Sequence, residues 1–358
     1  MANGLTELGT CAVRSYGQTR RTLESRRAEG LHDMMAFTYR NPARSTEPGR
    51  ILRGARSIVV GAWPYASIPP ASIPSASIPP ASIRPTARVA RYAAEDHYTA
   101  LRGALAAVAL ELRGAGHRAV VVADENSLVD REVAWRAGLG FYGKNANLLV
   151  SGGRGSWFVL GAVVTTADVG PVGRPVGEEC GACRRCIDGC PTGAIVATGV
   201  VDARRCISWA LQAPGSIEPW MRRAIGDRIY GCDDCQEACP PSRRNELAAG
   251  PSKRPDRHLI DPVAWLALSD EALMAVVDRW YVPGRDPGVV RRNLLVILGN
   301  SGRGDLAEVA SAVTAHLVHS DPVVAEAASW AATELGGVAG GVAGGVAVVV
   351  SHGQDGRA

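Results

Sequence analysis

The sequence predicts a three-part protein: an α/β (α+β) domain over residues 1–170, a small metal-organised unit over 171–250, and a helical-repeat unit over 251–336, followed by a disordered tail at 337–358. Three observations predict it. Short apolar runs alternate with a helical periodicity before residue 165. Eight of the nine cysteines fall between Cys180 and Cys239. Beyond them, apolar residues recur at helical spacing in successive segments joined by short turns. At 358 residues the chain also exceeds the size one hydrophobic core usually serves.

Residues 1 to about 50 alternate short helical patterns with arginine-rich turns such as Arg40-Asn41-Pro42-Ala43-Arg44-Ser45, which reads as a helical lead-in. Ile58 to Trp63 has the β-branched apolar run of a buried strand. The tandem repeat Ala66-Ser67-Ile68-Pro69-Pro70, copied through Pro85, excludes helix and central strand, so 66–85 is expected as an exposed proline-rich loop. Thr99 to Arg113 is helical by Leu101, Leu105, Val108, Leu110 and Leu112, and Ala119 to Ala123 is a short buried strand ending at Asp124. Asp130 to Gly138 reads as a second helix closed by glycine. Asn147 to Val150 and Trp157 to Val164 supply two more strands.

In the middle unit, Cys180-x2-Cys183-x2-Cys186-x3-Cys190-Pro191 is the bacterial ferredoxin run. In it three close thiolates grip one [4Fe–4S] cubane, and the fourth, before proline, reaches the other. A second half follows as Cys206 and then Cys232-x2-Cys235-x3-Cys239-Pro240. The crossing rule assigns Cys180, Cys183, Cys186 and Cys239 to one cluster and Cys190, Cys206, Cys232 and Cys235 to the other. Structural zinc is the competing reading of four-cysteine sites; the repeated x2 spacing ending in Cys-Pro argues against it. Glycines, prolines and short helices leave this stretch little apolar core, so the metal must organise it. Cys11 stands apart and is expected as a packed thiol. In the last unit Val289 to Gly299, Leu306 to Leu317 and Pro322 to Leu335 read as amphipathic helices, and the glycine-rich tail as low complexity.

Composition narrows the function classes. No apolar run reaches membrane-spanning length, and the N-terminus lacks the basic and apolar regions of a secretory signal, so a cytoplasmic protein is expected. In that compartment a dense cysteine cluster reads as metal binding before disulfides. The net charge of +4 does not announce a nucleic-acid partner by itself, and Lys144 and Lys253 are the only lysines among 39 basic residues.

Two clusters are wiring, and wiring needs a terminus, which the flanking α/β domain should hold. Asp124 ends a strand at the edge where α/β domains place reactive groups, and a carboxylate there can act as a general acid if burial raises its pKa. The glycine-dense turn from Arg136 through Gly138, Gly140 and Gly143 to Lys144 and Asn145 would let a planar cofactor approach the backbone closely.

Together these residues resemble those of the tRNA epoxyqueuosine reductases, cobalamin- and iron–sulfur-dependent enzymes. The resemblance covers Ala90-Arg91-Tyr92-Ala93, Asp96-His97-Tyr98, Asp124, Asp130-Arg131, Arg136 through Gly140 and Gly143-Lys144-Asn145. It continues through both cysteine halves, with Gly231-Cys232-Asp233-Asp234-Cys235-Gln236, to Arg291-Arg292-Asn293 and Leu298-Gly299-Asn300. It implies that the α/β domain holds cobalamin, that the clusters reduce it, and that a C-terminal HEAT-like domain helps to bind tRNA carrying epoxyqueuosine. The implied reaction removes the epoxide oxygen at the anticodon wobble position, with Asp124 as proton donor. Arg91, Tyr92, Arg131, Lys144, Asn145 and Ser156 would line the cofactor and substrate cavity, and Gln212 would contact the corrin. An external electron donor and a monomeric protein are implied with it. The family's Asp-Tyr-His stands here as Asp96-His97-Tyr98, and the proline repeat replaces a short turn.

Two other readings compete. A corrinoid iron–sulfur reductase acting on a small molecule, dehalogenase-like, would carry an export signal and lack the helical tail. A non-catalytic electron-transfer or cobalamin-handling protein would not need Asp124. For the tRNA reading, Arg243, Arg244, Lys253, Arg254, Arg257, Arg291 and Arg292 are candidate phosphate contacts.

Overall fold

The computed structural model describes residues 4–67, 84–254 and 257–336. The proline repeat expected over 66–85, apart from its ends, and the tail expected over 337–358 lie outside these residues.

The chain begins with β1 (Glu7–Ala12), α1 (Gly17–Ala28), α2 (Pro42–Ser45), β2 (Ser57–Pro64), β3 (Ala87–Val89), α3 (Arg91–Ala94), α4 (His97–Gly114) and β4 (Ala119–Ala123). It continues with α5 (Asp130–Arg136), β5 (Gly140–Tyr142), β6 (Leu148–Val150) and β7 (Phe158–Thr165). Four strands form one sheet in the order β1-β2-β7-β4, and every neighbouring pair is antiparallel. The β–α–β rhythm survives in that β2 and β4 run the same way with α4 between them in sequence. β7 is inserted between them, so no two neighbours are parallel.

The period-2 pattern decides which face each residue serves. Ile58, Val60, Ala62 and Val164 pack with Val133 and Ala134 of α5 on one face, and Val59 and Val163 pack with Leu101 and Leu105 of α4 on the other. Ile58, Val60, Leu101 and Leu105 are fully buried, each worth roughly 1.5–3 kcal/mol of apolar transfer. Gly161 lets α4 lie close: a Cβ there would stand 2.8 Å from Leu105. The helical lead-in expected over the first 50 residues is corrected at β1, an edge strand paired residue by residue with β2 from Glu7↔Ala62 to Ala12↔Ser57. Gly9, which puts no side chain on the buried face, and the half-exposed Thr10 on the other blur the alternation that marks a strand.

The second unit contains α6 (Arg185–Asp188), β8 (Ile195–Ala197), β9 (Val200–Val201), α7 (Ile207–Ala210), α8 (Pro219–Ile225), β10 (Arg228–Tyr230), α9 (Asp234–Glu237) and α10 (Pro240–Ala249). The third contains β11 (Leu259–Ile260), α11 (Pro262–Leu266), α12 (Asp270–Val276), α13 (Pro287–Asn300), α14 (Ala307–His316) and α15 (Pro322–Glu334). Asp261, Asp286 and Asp321 each cap a helix whose first residue is proline, the missing N–H of proline costing nothing there. Helix α13 is buried from Gly288 to Gly299. Its polar residues stitch it to the second unit: Arg292 donates to the carbonyls of Ala210 (3.0 Å) and Ala213 (2.8 Å), and Asn293 to those of Leu211 (2.8 Å) and Ile229 (3.0 Å).

A boundary at residue 170 does not describe the whole first unit. β3 is the centre of a small sheet between β10 and β11, and Ala87, Val89, Ala93 and Ala94 pack in the core of the C-terminal helices. The segment 87–94 therefore stands apart from the four-stranded sheet and packs with β10, β11 and the C-terminal helices.

Candidate active site and iron–sulfur centre

Helices α6 and α9 are four-residue turns inside the two cysteine runs, each set just before a Cys-Pro step. They bring Cys180, Cys183, Cys186 and Cys239 to one cavity, which Gly143, Lys144 and Asn145 also line. Cys190, Cys206, Cys232 and Cys235 form the other set: Cys206 is within electrostatic reach of Cys190, Cys232 of Cys206, and Cys235 of both Cys232 and Cys206. Cys235 also senses Cys186, so the two sets adjoin. Backbone amides point at the sulfurs, with Ala194 N–H at 3.2 Å from Cys190 Sγ and others from Lys144 to Cys180 and from Ser208 and Trp209 to Cys206. Such amides favour charged sulfur, whereas burial pushes the Cys206, Cys232 and Cys235 thiols up. A thiol-rich cradle lined by amides fits a cubane, whose iron must displace those protons on binding. Cys11 lies elsewhere, buried against Val133 and pushed up to about 11 by burial.

Asp124 follows the last residue of β4 and adopts φ +53°, a left-handed conformation tolerated by Asp better than by most side chains. Although the residue is exposed at the surface, partial desolvation of its carboxyl raises it, and Arg102, whose guanidinium also donates to the Ala123 carbonyl, pulls it back. Tyr98, one helical turn before Arg102 on α4, is within electrostatic reach of Asp124 and of Asp130. His97 tilts against the ring of Tyr65 at 5.5 Å.

At the same sheet edge, where β2 ends and β7 begins, is a cleft. Leu148, Val150, Phe158 and Leu160 make its apolar wall, and Tyr65, Arg131, Asn147 and Ser156 its polar one. Gln236 joins two of these, donating to Ser156 Oγ at 3.0 Å and to the Tyr65 hydroxyl at 3.3 Å. Asn147 reaches from the cleft to Cys235 Sγ, 4.0 Å away, so the second cysteine set stands directly behind the wall. Apolar surface beside a hydrogen-bonding rim has the chemistry of a wall against which one face of an amphipathic ring such as a corrin can lie.

The structure brings Asp124, Arg131 and Ser156 to this edge. Lys144 and Asn145 line the cluster cavity instead: Lys144 Nζ donates to the Gly181 carbonyl at 2.5 Å, and Asn145 bonds the Cys235 carbonyl at 3.2 Å. Arg91, expected against the cofactor, is 1% exposed, stacked 4.1 Å from Trp157, with ion pairs to Glu237 and Glu246 at 2.9 Å each. Tyr92 packs with Tyr230, 6.2 Å between centroids. Gln212, in the turn after α7, spends its amide on the Ser208 carbonyl of that helix at 2.8 Å. For these three the structure gives packing partners in place of the cavity wall. Of the expected phosphate contacts, Arg291 and Arg292 are corrected: Arg292 is buried on carbonyls and Arg291 pairs with Asp270 at 2.8 Å. Arg243, Arg244, Lys253, Arg254 and Arg257 are exposed.

Sequence reasoning missed Tyr65, Tyr98, Arg102 and Asn147 as site residues. Tyr98 and Arg102 are one turn apart on a helix leading to the strand that ends at Asp124, a spacing that could have placed them.

The family described as 4Fe-4S double cluster binding domain matches residues 179–242. An epoxyqueuosine reductase of Vibrio cholerae serotype O1 is 31% identical over 306 residues, 83% of this chain and 80% of that one. Another, of Xanthomonas campestris pv. campestris, is 31% identical over 329 residues, 89% of this chain and 90% of its own. Among solved structures, an epoxyqueuosine reductase crystallised with an epoxyqueuosine-modified tRNA-Tyr stem loop superposes with a TM-score of 0.81 at 27% identity, over 94% of this chain and 88% of that one.

Proposed function

This chain belongs to the epoxyqueuosine reductase family, and from that premise we propose how its residues divide the reduction of epoxyqueuosine to queuosine in tRNA. Two carbon–oxygen bonds break, a carbon–carbon double bond forms and the oxygen leaves as water, so each turnover takes two electrons and two protons. The 4Fe-4S double-cluster domain serves the electrons. Cys180, Cys183, Cys186 and Cys239 hold one cluster, and Cys190, Cys206, Cys232 and Cys235 the other, with a donor outside the chain feeding them in the cytoplasm.

Cobalamin, bound in the cleft between Tyr65, Arg131, Asn147 and Ser156, would supply a low-potential metal able to accept single electrons from the clusters and deliver them to the epoxide. Arg131 and Ser156 would hydrogen-bond its rim, and Asn147, which reaches Cys235 Sγ, would form the wall between the two. Asp124, at the same end of the sheet as the cleft, protonates the departing oxygen, which otherwise leaves as an unstabilised alkoxide. The C-terminal helices form a HEAT-like platform, and the exposed arginines of α10 meet phosphates.

One observation carries this reading: Asn147 lines the cleft and touches Cys235 Sγ, while its neighbour in the cleft, Arg131, adjoins the Asp124–Asp130 loop, so electrons and protons reach one place. The test is anaerobic reconstitution with iron, sulfide and cobalamin, followed by conversion of epoxyqueuosine-containing tRNA. Turnover requiring all three components is expected. Full cluster and cobalamin content without conversion overturns it.

A further inference from the structure

Two carboxyls come from the two ends of one short loop at the edge of β4. Asp124 opens it and is exposed; Asp130, the first residue of α5, closes it. One carboxyl oxygen of Asp130, Oδ1, is shut away from solvent with no hydrogen-bond partner. The groups that face Asp130 are Asp124 and Glu125 from the loop, Arg131 from α5, and Arg102 and Tyr98 from α4. An anion at this position would be desolvated, half-unpaired and beside two acids, so the neutral acid is the favoured form. Burial first, and then the charge of Asp124, push Asp130 up to about 8, against Arg131 and Arg102. Once Asp124 has given up its proton, its negative charge acts on Asp130 and holds the second proton there.

The chemistry calls for such a group. Asp124 can give one proton and is then an anion, yet the oxygen needs two to leave as water. We propose that Asp130 holds the second proton of the reaction and passes it to the departing oxygen through Asp124. The inference rests on Asp124 being the acid. In balance, two electrons arrive through the clusters, the proton of Asp124 goes to the oxygen as the first carbon–oxygen bond breaks, and the resulting hydroxyl takes the proton relayed from Asp130 as the second bond breaks. The double bond forms, water leaves, and both carboxylates are reprotonated from solvent.

The test is the pH profile of turnover, from pH 6 to 9.5, of the enzyme loaded with both clusters and cobalamin, with reductant in excess. A raised carboxyl keeps its proton below its folded pKa and loses it above, so the wild-type rate should fall about tenfold per pH unit above roughly 8. Asp130→Asn keeps the shape but has no acid proton; turnover 10- to 100-fold slower at pH 7, with the alkaline fall abolished, is expected, and Asp130→Glu should restore part of both. A wild-type rate that stays flat to pH 9.5 overturns the proposal whatever the variants do, as does Asp130→Asn turning over at the wild-type rate with the wild-type profile. Iron and cobalamin content of each variant is measured alongside; if Asp130→Asn loses either, the wild-type profile decides. Asp124→Asn run in parallel separates the two assignments: activity there refutes Asp124 as the acid, whereas an inactive Asp124→Asn beside an unaffected Asp130→Asn refutes the relay alone.

Discussion

Asp124 holds a left-handed backbone conformation at the end of a fully paired strand, and such a position is kept only where the surroundings fix it. Asp124→Asn should keep the loop geometry and remove the proton, lowering turnover by about 10²–10⁴ while cobalamin and iron content stay at wild-type levels. Loss of cobalamin in that variant would instead make Asp124 a binding residue. Asp130 adds a stability consequence. Its folded pKa, about 8, lies above the unfolded value near 4, so its contribution is present below pH 4 and is lost as pH rises through 8. The melting temperature of the wild type should therefore drop between pH 7 and 9 more than that of Asp130→Asn, measured by thermal denaturation at the two pH values. Arg91 behaves oppositely to a cofactor ligand. Removing it leaves the buried Glu246 without its cation, so Arg91→Ala should cost roughly 3 kcal/mol or more in stability, and cobalamin affinity should follow stability and not precede it.

At the scale of elements, what could be read from the sequence depended on how much of each element's signal is local. The strand at 119–123, the helices at 97–114 and 130–136 and the three C-terminal helices were legible because each carries its own periodicity or cap. The double-cluster domain was legible because the x2 and x3 spacings recur in both cysteine halves. β3, β10 and β11 are two or three residues long, and their pairing joins segments about 140 and 170 residues apart, so no local pattern announces them. Arg91 was misread for the same reason: its partners Glu237 and Glu246 lie on α9 and α10, far along the chain. Cys239 shows the coupling of element and site, since it is both a cavity thiol and the residue preceding α10. Packed on α10 is Gly155, at φ +69°, where a Cβ would collide with Ser242. Cys239→Ala should therefore lower iron content by about half or more. It should also loosen the Ser156–Ser242–Trp157 junction, seen as faster amide exchange in 154–158.

For the whole molecule, the arginines divide into those that hold it together and those that face outward, and this decides where tRNA can lie. Arg292 is buried on carbonyls of the second unit, and burial with the nearby Arg222 pulls it down to about 10. Arg244 is exposed on α10 and lies over Gly153, in the turn that leads to Ser156 and the cleft. A nucleotide entering the cleft would bring its flanking phosphates past Arg244 and its neighbour Arg243, where a cation gains most by releasing condensed counterions. The double variant Arg243→Glu/Arg244→Glu should weaken binding of epoxyqueuosine tRNA. It should also flatten the dependence of log affinity on log salt by about 0.7–0.9 for each phosphate no longer neutralised. Arg292→Ala should lower the melting temperature, because its carbonyl acceptors lose their donor at roughly 1–3 kcal/mol for each buried group left unpaired. Its salt slope should be that of the wild type. Binding titrations of the three proteins between 50 and 200 mM salt separate the two roles, and an unchanged slope in the double variant would move the tRNA path away from the mouth of the cleft.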